Sequence, residues 1–277
     1  MTSAPDPRAA RGAGRRRGAG EGALRRAMRR AAGRGAEAPA GAPPAGPPPA
    51  GPPPGAAAAP AGAARRRDAE ATRRRILKAA QDAFARDGYA GARIDRIARA
   101  AACNVQMIYR YFGDKEGLYL AALEAIYLHI RSHERQLRLT TAAPAEGVRR
   151  LVEFTFDYLR DNPNFVAMVR NENLMEGRFV RRLRSVSETA NPLVETIGDL
   201  LRRGAQSGDF RTPMSAMDLY LTVLGLCVTH CAQRHTLSAM FRFDFSDPAW
   251  QARRREQVVQ LVLRYLTAAP GEGAAGA

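Results

Sequence analysis

From Asp68 onward, the apolar residues of this 277-residue chain recur at helical spacing. Ile76, Ala80 and Ala83, for example, lie about one helical turn apart, on one side of a helix. No segment alternates apolar and polar residues with period two between hairpin turns, so the pattern predicts an all-α fold. The predicted helices cover residues 69–86, 94–101, 105–112, 114–134, 144–161, 164–175, 178–186, 190–207, 213–235 and 248–267.

Composition divides the chain into four parts. Residues 1–67 consist mainly of Ala, Gly, Pro and Arg, with no aromatic residue, and ten of the 18 prolines lie between Pro39 and Pro60. Such a segment cannot bury enough apolar surface to offset its ordering entropy, so it is predicted to be a disordered N-terminal tail. A three-helix unit follows at 68–113, then a helical domain at 114–267, and residues 268–277 form a second disordered tail.

The charge of the chain points to its partners. The formal net charge is +16, and residues 1–68 contribute 13 Arg against 4 acidic residues. A charge so far from zero favours polyanionic partners. Three cysteines are too few for a disulfide scaffold and indicate a reducing cytoplasm. The most apolar stretch, Leu219 to Val228, is too short to span a bilayer, so we expect a cytoplasmic protein without a membrane partner.

Sequence motifs for catalysis are lacking. The chain has no glycine-rich phosphate loop, no Gly-x-Ser-x-Gly elbow and no His-Glu-x-x-His run, so we expect neither an enzyme nor a cofactor. Cys227, His230 and Cys231 lie close together in sequence and leave metal or redox sensing open. Ordinary packing is the favoured interpretation, because structural zinc sites assemble ligands from a tighter knuckle or from two segments, and no metal site is predicted.

The first three helices carry the features of a helix-turn-helix. Ala98, Ala101 and Ala102 are small enough for two helices to cross closely, and Asn104 is a good N-cap for the helix at 105–112. That helix buries Ile108 and Phe112. Its outward side chains are then Gln106, Met107, Tyr109 and Arg110. Exposed Gln and Arg can address base edges, while Tyr109 and Lys115 suit phosphate contacts, which predicts double-stranded DNA as a partner.

A set of segments within residues 74–118 resembles the N-terminal domain of TetR-family transcriptional repressors. These segments are Arg74-Arg75-Ile76-Leu77, Phe84-Ala85-Arg86-Asp87-Gly88-Tyr89, Ile94-Asp95-Arg96-Ile97-Ala98, Ile108-Tyr109-Arg110-Tyr111-Phe112 and Lys115-Glu116-Gly117-Leu118. The resemblance implies that residues 104–107 read bases at the start of the recognition helix. It also implies phosphate contacts from Tyr109, Tyr111 and Lys115, and from the position of Arg93, just before the second helix.

The chain departs from the family at the turn and at the base-reading positions. Ala102 replaces the usual turn glycine, which requires either ordinary dihedral angles there or some strain. Val105 and Met107 stand where polar or small residues are common, and they can only contact a thymine methyl group or pack on sugar. Hydrogen bonding to bases is therefore expected mainly from Gln106, with Asn104 or Arg110 as helpers.

The middle helices carry a candidate ligand site, in which apolar side chains surround a small polar cluster. Its residues are Phe154, Tyr158, Phe165, Met168, Asn171, Glu172, Met175 and Phe179. An ordinary core with a solvated polar face remains the alternative for each of them. Asn171-Glu172-Asn173 and the stretch 233–238 are similar to a subgroup of repressors of pyrimidine and nicotinate catabolism. That similarity implies a small polar heterocycle or acid as the effector.

The last two long helices are apolar on more than one face, and in the family such helices form a four-helix dimer interface. The predicted interface residues are Tyr220, Leu224, Cys227, Val228, Val258, Leu261, Val262 and Tyr265. Together these features predict a homodimeric repressor that a small-molecule effector releases from a palindromic operator. The alternative is an architectural protein that coats DNA without sequence preference through its basic tail.

Overall fold

A computed structural model describes residues 61–268, with side chains from residue 66 onward. In this part of the chain every regular element is helical, which confirms the all-α fold. The helices are α1 (Ala61–Gly91), α2 (Ile94–Ala100), α3 (Val105–Phe112), α4 (Lys115–Glu134), α5 (Pro144–Asp161), α6 (Pro163–Leu174), α7 (Arg184–Ser207), α8 (Ala216–Ala232), α9 (Arg234–Phe241) and α10 (Pro248–Thr267). Residues 1–60 and 269–277, which include most of the two predicted tails, lie outside the described residues.

Four of the predicted helices differ from those in the structure. α1 begins at Ala61, eight residues before the predicted start, and its regular part ends at Gly88, whose backbone is left-handed with φ 68°. The predicted helix at 178–186 is wrong, because only a short 3₁₀ turn at Val180–Arg182 forms there. α7 runs from Arg184 to Ser207 without a break and includes Pro192, although a gap was expected between residues 186 and 190. The predicted helix at 213–235 is two helices, α8 and α9.

The described helices pack around two hydrophobic cores. The first core joins α1, α2 and α3 to the first half of α4, and its centre includes Ile76, Phe84, Ile97 and Ile108. The second core lies among α5, α7, α8 and α10. α4 runs from one core towards the other, because Leu118 and Leu123 lie in the first core while its last turn packs beside α5 and α7. α4 therefore contacts helices of both groups.

Gly117 shows how tightly α3 and α4 meet. A Cβ atom at this position would lie 2.0 Å from the backbone oxygen of Phe112, so only glycine fits the close approach. The Asp114 side chain accepts a hydrogen bond from the Gly117 amide at 2.7 Å and caps α4. No helix within residues 61–268 is long and apolar enough to cross a bilayer.

Candidate functional site

The turn between α2 and α3 is held by small side chains and one strained residue. Ala98 and Ala101 are each only 2% exposed, because α1, α2 and α3 meet there. Ala102 has φ 49°, the left-handed conformation that favours glycine, so the strain that the missing glycine implied is present. Arg75 Nε donates to the Ala101 carbonyl at 3.4 Å and ties α1 to the turn.

α3 presents one polar face to solvent. The Asn104 side chain accepts from the Gln106 amide at 2.9 Å, which confirms the predicted N-cap. Ile108 is fully buried and anchors the opposite side of the helix. Gln106, Tyr109 and Arg110 are exposed and follow one another at positions i, i+3 and i+4, so they share a face. This exposed face has the size and chemistry to enter a major groove.

Three other predicted DNA-binding residues of α3 are half-buried. Val105, Met107 and Tyr111 pack against the first core, at the edges of the stripe that Ile108 leads. Met107 was expected to face outward with Gln106. Met107 lies one turn before Tyr111 on the same edge of the helix, and both pack against the first core. The exposed face of α3 is therefore narrower than the sequence indicated.

Lys115 and Arg93 lie on either side of α3 in sequence. Lys115 Nζ donates to the Ala90 carbonyl at 3.1 Å and lies 5.1 Å from the centre of the Tyr89 ring. These contacts fix the ammonium group at the start of α4. Arg93 is exposed and pairs with Asp95, with 3.1 Å between Nε and Oδ1. Both cations remain close to solvent and can approach a phosphate.

Glu172 of α6 forms the junction between α6 and the first core. Its carboxylate is only 2% exposed. One oxygen accepts from the Tyr119 hydroxyl at 3.2 Å, and the other accepts from the amides of Phe179 and Val180 at 2.5 and 2.9 Å. Burial, and then the Glu172 charge, raise the pKa of Tyr119. The carboxylate therefore binds three donors, one from α4 and two from the turn after α6.

The residues around Glu172 complete the same junction. Asn171 Nδ2 donates to the carbonyls of Phe84 and Ala85, at 3.0 and 3.4 Å, near the end of α1. Met168 and Phe179 are fully buried in the first core, and Met175 packs against it. The ligand-binding role of Met168, Asn171, Glu172, Met175 and Phe179 stays a prediction. Their side chains are used for packing and hydrogen bonds between helices, because α6 lies directly against α1.

The remaining predicted ligand residues form an aromatic cluster beside α4. The rings of Phe154 and Phe165 lie 5.5 and 5.6 Å from the ring of Tyr158. The Tyr158 hydroxyl is 2.8 Å from His129 Nδ1 of α4. Burial, and then the nearby Glu134 carboxyl, raise the pKa of Tyr158 to about 12. These aromatic residues therefore border a charged group that the sequence analysis did not identify.

That group is a buried ion pair in the last turn of α4. Arg131 Nη1 donates to Glu134 Oε2 at 2.6 Å, and both side chains are less than a tenth exposed. Burial raises the pKa of Glu134 to about 7, although the adjacent guanidinium group acts in the opposite direction. A signal existed in the sequence, because Glu134 continues the buried stripe of Leu123, Ile126 and Ile130. The pair borders a cleft of about 440 Å³.

The predicted dimer-interface residues divide between the inside and the outside of the chain. Cys227, Val258 and Val262 are buried in the second core of the chain itself, and this corrects their assignment. The Tyr220 hydroxyl faces Arg131, 3.4 Å from its Nη2. The outer stripe consists of Met217 and Leu221 of α8 with Leu261 and Tyr265 of α10, while Leu224 and Val228 are half-buried against the second core. On α8 and α10 the buried and the exposed apolar residues lie on different sides of the helix. Composition alone could not tell the two sides apart.

The cysteine and histidine residues of α8 lie within the fold. Cys231 Sγ is 3.5 Å from His230 Nε2, and the His230 ring stacks on Phe156. Burial lowers the pKa of His230 to about 4 and raises that of Cys227 to about 12, the second with a contribution from Cys231. Within residues 61–268, no three metal-ligating side chains are grouped together.

Comparisons with known proteins cover both halves of the described chain. Residues 76–122 match the model for bacterial regulatory proteins of the tetR family, and residues 144–262 match the tetracyclin repressor-like C-terminal domain. The chain is 35% identical over 202 residues to the HTH-type transcriptional repressor NicS of Pseudomonas putida. The aligned region covers 73% of this chain and 95% of NicS.

Two further matches have lower coverage or identity. The chain is 36% identical over 111 residues to the HTH-type transcriptional repressor SCO4008 of Streptomyces coelicolor, covering 40% of this chain and 54% of that protein. Its fold is similar to that of a tetR-family bacterial regulatory protein from Rhodococcus RHA1, with a TM-score of 0.56 and 20% identity. That match covers 72% of this chain and 98% of the other.

Proposed function

The chain belongs to the tetR family of bacterial regulatory proteins, and from that premise we propose that it is a homodimeric transcriptional repressor. Proteins of this family bind DNA operators and small-molecule ligands. In this proposal the repressor acts in the cytoplasm and stays bound to a two-fold symmetric operator until an effector binds. Two relatives that are named repressors, NicS and SCO4008, support the direction of the effect.

The exposed face of α3 is the observation that carries this proposal. Gln106 and Arg110 are exposed, with their side chains unoccupied by hydrogen bonds or ion pairs within the described residues. Each can donate to base edges in the major groove, and Arg110 can bind a guanine with two hydrogen bonds. Tyr109, Tyr111, Lys115 and Arg93 then position the helix by phosphate contacts, while Val105 and Met107 contribute packing at the edge of the groove.

The outer stripe of α8 and α10 supports a two-fold symmetric dimer. Leu221, Leu261 and Tyr265 are each more than half exposed, and such a run of apolar side chains is costly to leave in water. A second copy of the chain offers the same stripe, which gives a self-complementary contact. Two α3 helices in this dimer would face two half-sites of one operator.

The proposed response to an effector uses α4 and the junction at Glu172. α4 starts at Lys115, next to the recognition helix, and ends at the buried pair of Arg131 and Glu134. Glu172 binds Tyr119 of α4 on the side of the first core. A ligand that moves the end of α4 would therefore change the spacing of the two recognition helices. Operator affinity falls only as far as the ligand prefers the altered state.

A gel-shift titration on the DNA upstream of the protein's own gene tests the DNA-binding face. Arg110→Ala should weaken binding by about 1–3 kcal/mol and relax the preference at one base pair. Lys115→Ala should weaken binding to all sequences equally and reduce the salt dependence. Arg202→Ala, on the exposed side of α7, is the matched control. Unchanged affinity in both test variants would reject the proposed face.

Sedimentation tests the dimer. Leu221→Glu or Leu261→Glu should convert the dimer to monomer, because each puts a charge in the centre of the proposed interface. Leu174→Glu is the control, since Leu174 is also a highly exposed apolar side chain but lies at the end of α6. Dimers that persist in both test variants, or that are lost in the control alone, would place the interface elsewhere.

A further inference from the structure

The turn between α6 and α7 carries an unbalanced group of positive charges. Residues 176–184, called the arginine turn below, contain four Arg residues and one Glu. The four exposed guanidinium groups belong to Arg178, Arg181, Arg182 and Arg184. Phe179 and Val180 lie between these cations in sequence and pack into the first core. The turn is therefore anchored by its apolar residues, and its cations face solvent.

The arginine turn lies next to the start of α4. Arg182 forms an ion pair with Glu116, from Nη1 to Oε1, and Glu116 directly follows Lys115 in the chain. The ring centres of Phe179 and Tyr89 are 4.7 Å apart. The Lys115 ammonium group lies 5.1 Å from the centre of the same Tyr89 ring. The turn is thus a close neighbour of the lysine that we assign to a phosphate of the operator.

Buried hydrogen bonds hold the arginine turn in this position. Glu172 accepts from the amides of Phe179 and Val180 at 2.5 and 2.9 Å. The same carboxylate accepts from the Tyr119 hydroxyl of α4 at 3.2 Å. The backbone that carries the cations is therefore fixed relative to α4. A ligand that binds there orders only side chains, which lowers the entropic cost of binding.

Most hydrogen-bond donors of the turn are unused within the described residues. Arg178 makes no hydrogen bond or ion pair there, and its guanidinium carbon lies 5.0 Å from the centre of the Phe179 ring. Arg181 donates through Nη2 to the Glu176 carbonyl, which carries no charge. Of the residues whose side chains are described, only Glu116 gives the turn a carboxylate partner, at Arg182. A guanidinium group has five donors and commonly binds phosphate through two of them.

Arginines of α5 and α10 have a different environment. Arg149, Arg160 and Arg255 each contact two carboxylates, so their charges are balanced on the surface of the chain itself. The arginine turn lacks this balance, and its like charges repel one another. Binding of a polyanion relieves that repulsion. The charge pattern therefore favours a polyanionic partner over a solvated surface without a partner.

We propose that Arg178 and Arg181 bind phosphates of the operator next to the phosphate that Lys115 contacts. Arg182 keeps the turn against α4 through its pair with Glu116. The inference rests on the proposed function and adds a DNA contact from outside the three-helix unit. DNA is the polyanion expected here, because a strand that meets Lys115 carries a phosphate at every nucleotide and continues past the neighbouring cations. Such contacts set the position of the protein on the duplex and read no sequence.

The salt dependence of operator binding tests the inference. The probe is the segment upstream of the protein's own gene that the full-length chain protects. Arg178→Ala with Arg181→Ala removes four phosphate contacts from a dimer, and each contact contributes about 0.9 to the slope of log affinity against log salt concentration. The slope should fall by about 4. The ratio of the two affinities, wild type over variant, should therefore decrease about tenfold between 100 and 200 mM salt.

Matched substitutions separate a direct contact from a general effect of charge. Arg178→Lys with Arg181→Lys keeps both charges and should retain most of the slope. Arg150→Ala with Arg202→Ala removes the same charge from α5 and α7, where both side chains pair with acidic neighbours, and should leave the slope unchanged. Thermal unfolding of each variant checks the fold. Arg178→Gln with Arg181→Gln replaces the alanine pair if its midpoint falls.

Two results would overturn the inference. One is an unchanged salt slope in the alanine pair, which would leave the arginine turn to a different polyanion. The other is an equal reduction in the control pair, which would indicate a long-range effect of net charge. Arg110→Ala and Lys115→Ala are titrated in the same series. If these two lose affinity as expected while the alanine pair does not, only this inference fails. Failure of the proposed function would instead appear as a wild type that prefers no DNA segment.

Discussion

Two buried glutamates of this chain have opposite surroundings. Glu172 binds the Tyr119 hydroxyl and two backbone amides, and no guanidinium group is among its hydrogen-bond partners. Glu134 binds Arg131, whose Nε has no hydrogen-bond partner among the residues that the structure describes, and it borders a cleft. Both carboxyl groups are less than a tenth exposed. The two carboxyl groups are therefore similarly buried, and they differ in the hydrogen-bond donors that they bind.

The difference separates a structural link from a responsive site. A carboxylate that binds one donor from α4 and two from the turn after α6 fixes these segments to each other, because a change at either leaves polar groups unpaired. A carboxylate that shares one guanidinium group with unused donor capacity can exchange its charge state and its partner. The region of Glu172 holds the DNA-binding helices to α6, and in the region of Glu134 the raised pKa of the carboxyl allows its charge to change near pH 7.

The largest effect is expected from removing the fully bonded carboxylate. Glu172→Ala should lower the free energy of unfolding by about 3 kcal/mol, because it leaves the Tyr119 hydroxyl and two backbone amides buried without acceptors. Urea unfolding measures the loss. Glu195→Ala, at an exposed position of α7, is the control and should change stability by less than about 0.5 kcal/mol. Equal losses in the two variants would remove the contrast between the regions.

The second effect is a pH dependence carried by Glu134. Its folded-state pKa, about 7, lies above the ordinary value of 4.5, so the folded chain binds the proton more tightly than the unfolded chain. The stabilisation is therefore fully present below pH 4.5 and is lost as the pH rises to about 7. We expect a loss of roughly 2 kcal/mol across this range in the wild type.

Glu134→Gln isolates this contribution. The amide does not titrate, so the difference in unfolding free energy between wild type and variant should follow the same curve, and the variant should be relatively more stable above pH 7. Glu195→Gln is the control, and it should leave the pH dependence of the unfolding free energy unchanged. A difference that is constant between pH 4.5 and pH 8 would show that Glu134 keeps an ordinary pKa and does not differ from a surface carboxyl.

A smaller effect sharpens the assignment of the junction. Asn171→Ala should cost about 1 kcal/mol, because the carbonyls of Phe84 and Ala85 lose their side-chain donor. Asn173 is the matched control, since its Nδ2 donates only to the Val169 carbonyl of its own helix and the side chain is exposed. Thermal unfolding of the two alanine variants should therefore differ, and identical midpoints would argue that α6 is not fixed to α1 at this point.

The smallest effect concerns the turn before the recognition helix and lies outside both glutamate regions. Ala102→Gly should stabilise the chain by roughly 0.5 kcal/mol. Relief of a left-handed conformation gains about 1–2 kcal/mol, and the greater freedom of glycine in the unfolded chain offsets part of this gain. Combined with Glu172→Ala, the change in stability should be additive if the turn acts independently of the junction. A destabilised single variant would contradict the strain at Ala102.

The sequence predicted the elements that depend on local pattern. The all-α fold and the N-cap at Asn104 are confirmed, because periodicity and capping are encoded within a few residues. The helix expected at 178–186 is wrong for a tertiary reason. Glu172 binds the amides of Phe179 and Val180, and Gly177 adopts φ 71°, so the chain there wraps around a carboxylate rather than continuing as a helix.

The site residues were predictable only in part, because their roles depend on which helices meet. Asn171 and Glu172 stood out as polar residues among apolar ones, and that pattern fits a ligand pocket and a helix junction equally well. In the structure the two side chains link α6 to α1 and α4, and their role in a ligand pocket stays a prediction. Arg131 was not identified, since its partner Tyr220 lies 89 residues further along the chain. Glu134 alone carried a local signal, as a carboxyl group on a buried stripe.

DNase I footprinting with the full-length protein, on the DNA upstream of its own gene, tests the central claim most directly. A homodimeric repressor should protect one segment with two-fold symmetry, at protein concentrations that leave the flanking DNA open to cleavage. Arg110→Ala should lose this protection, while Arg202→Ala should keep it. Uniform protection along the whole fragment, with no preferred segment at any concentration, would contradict the account and identify a protein that coats DNA.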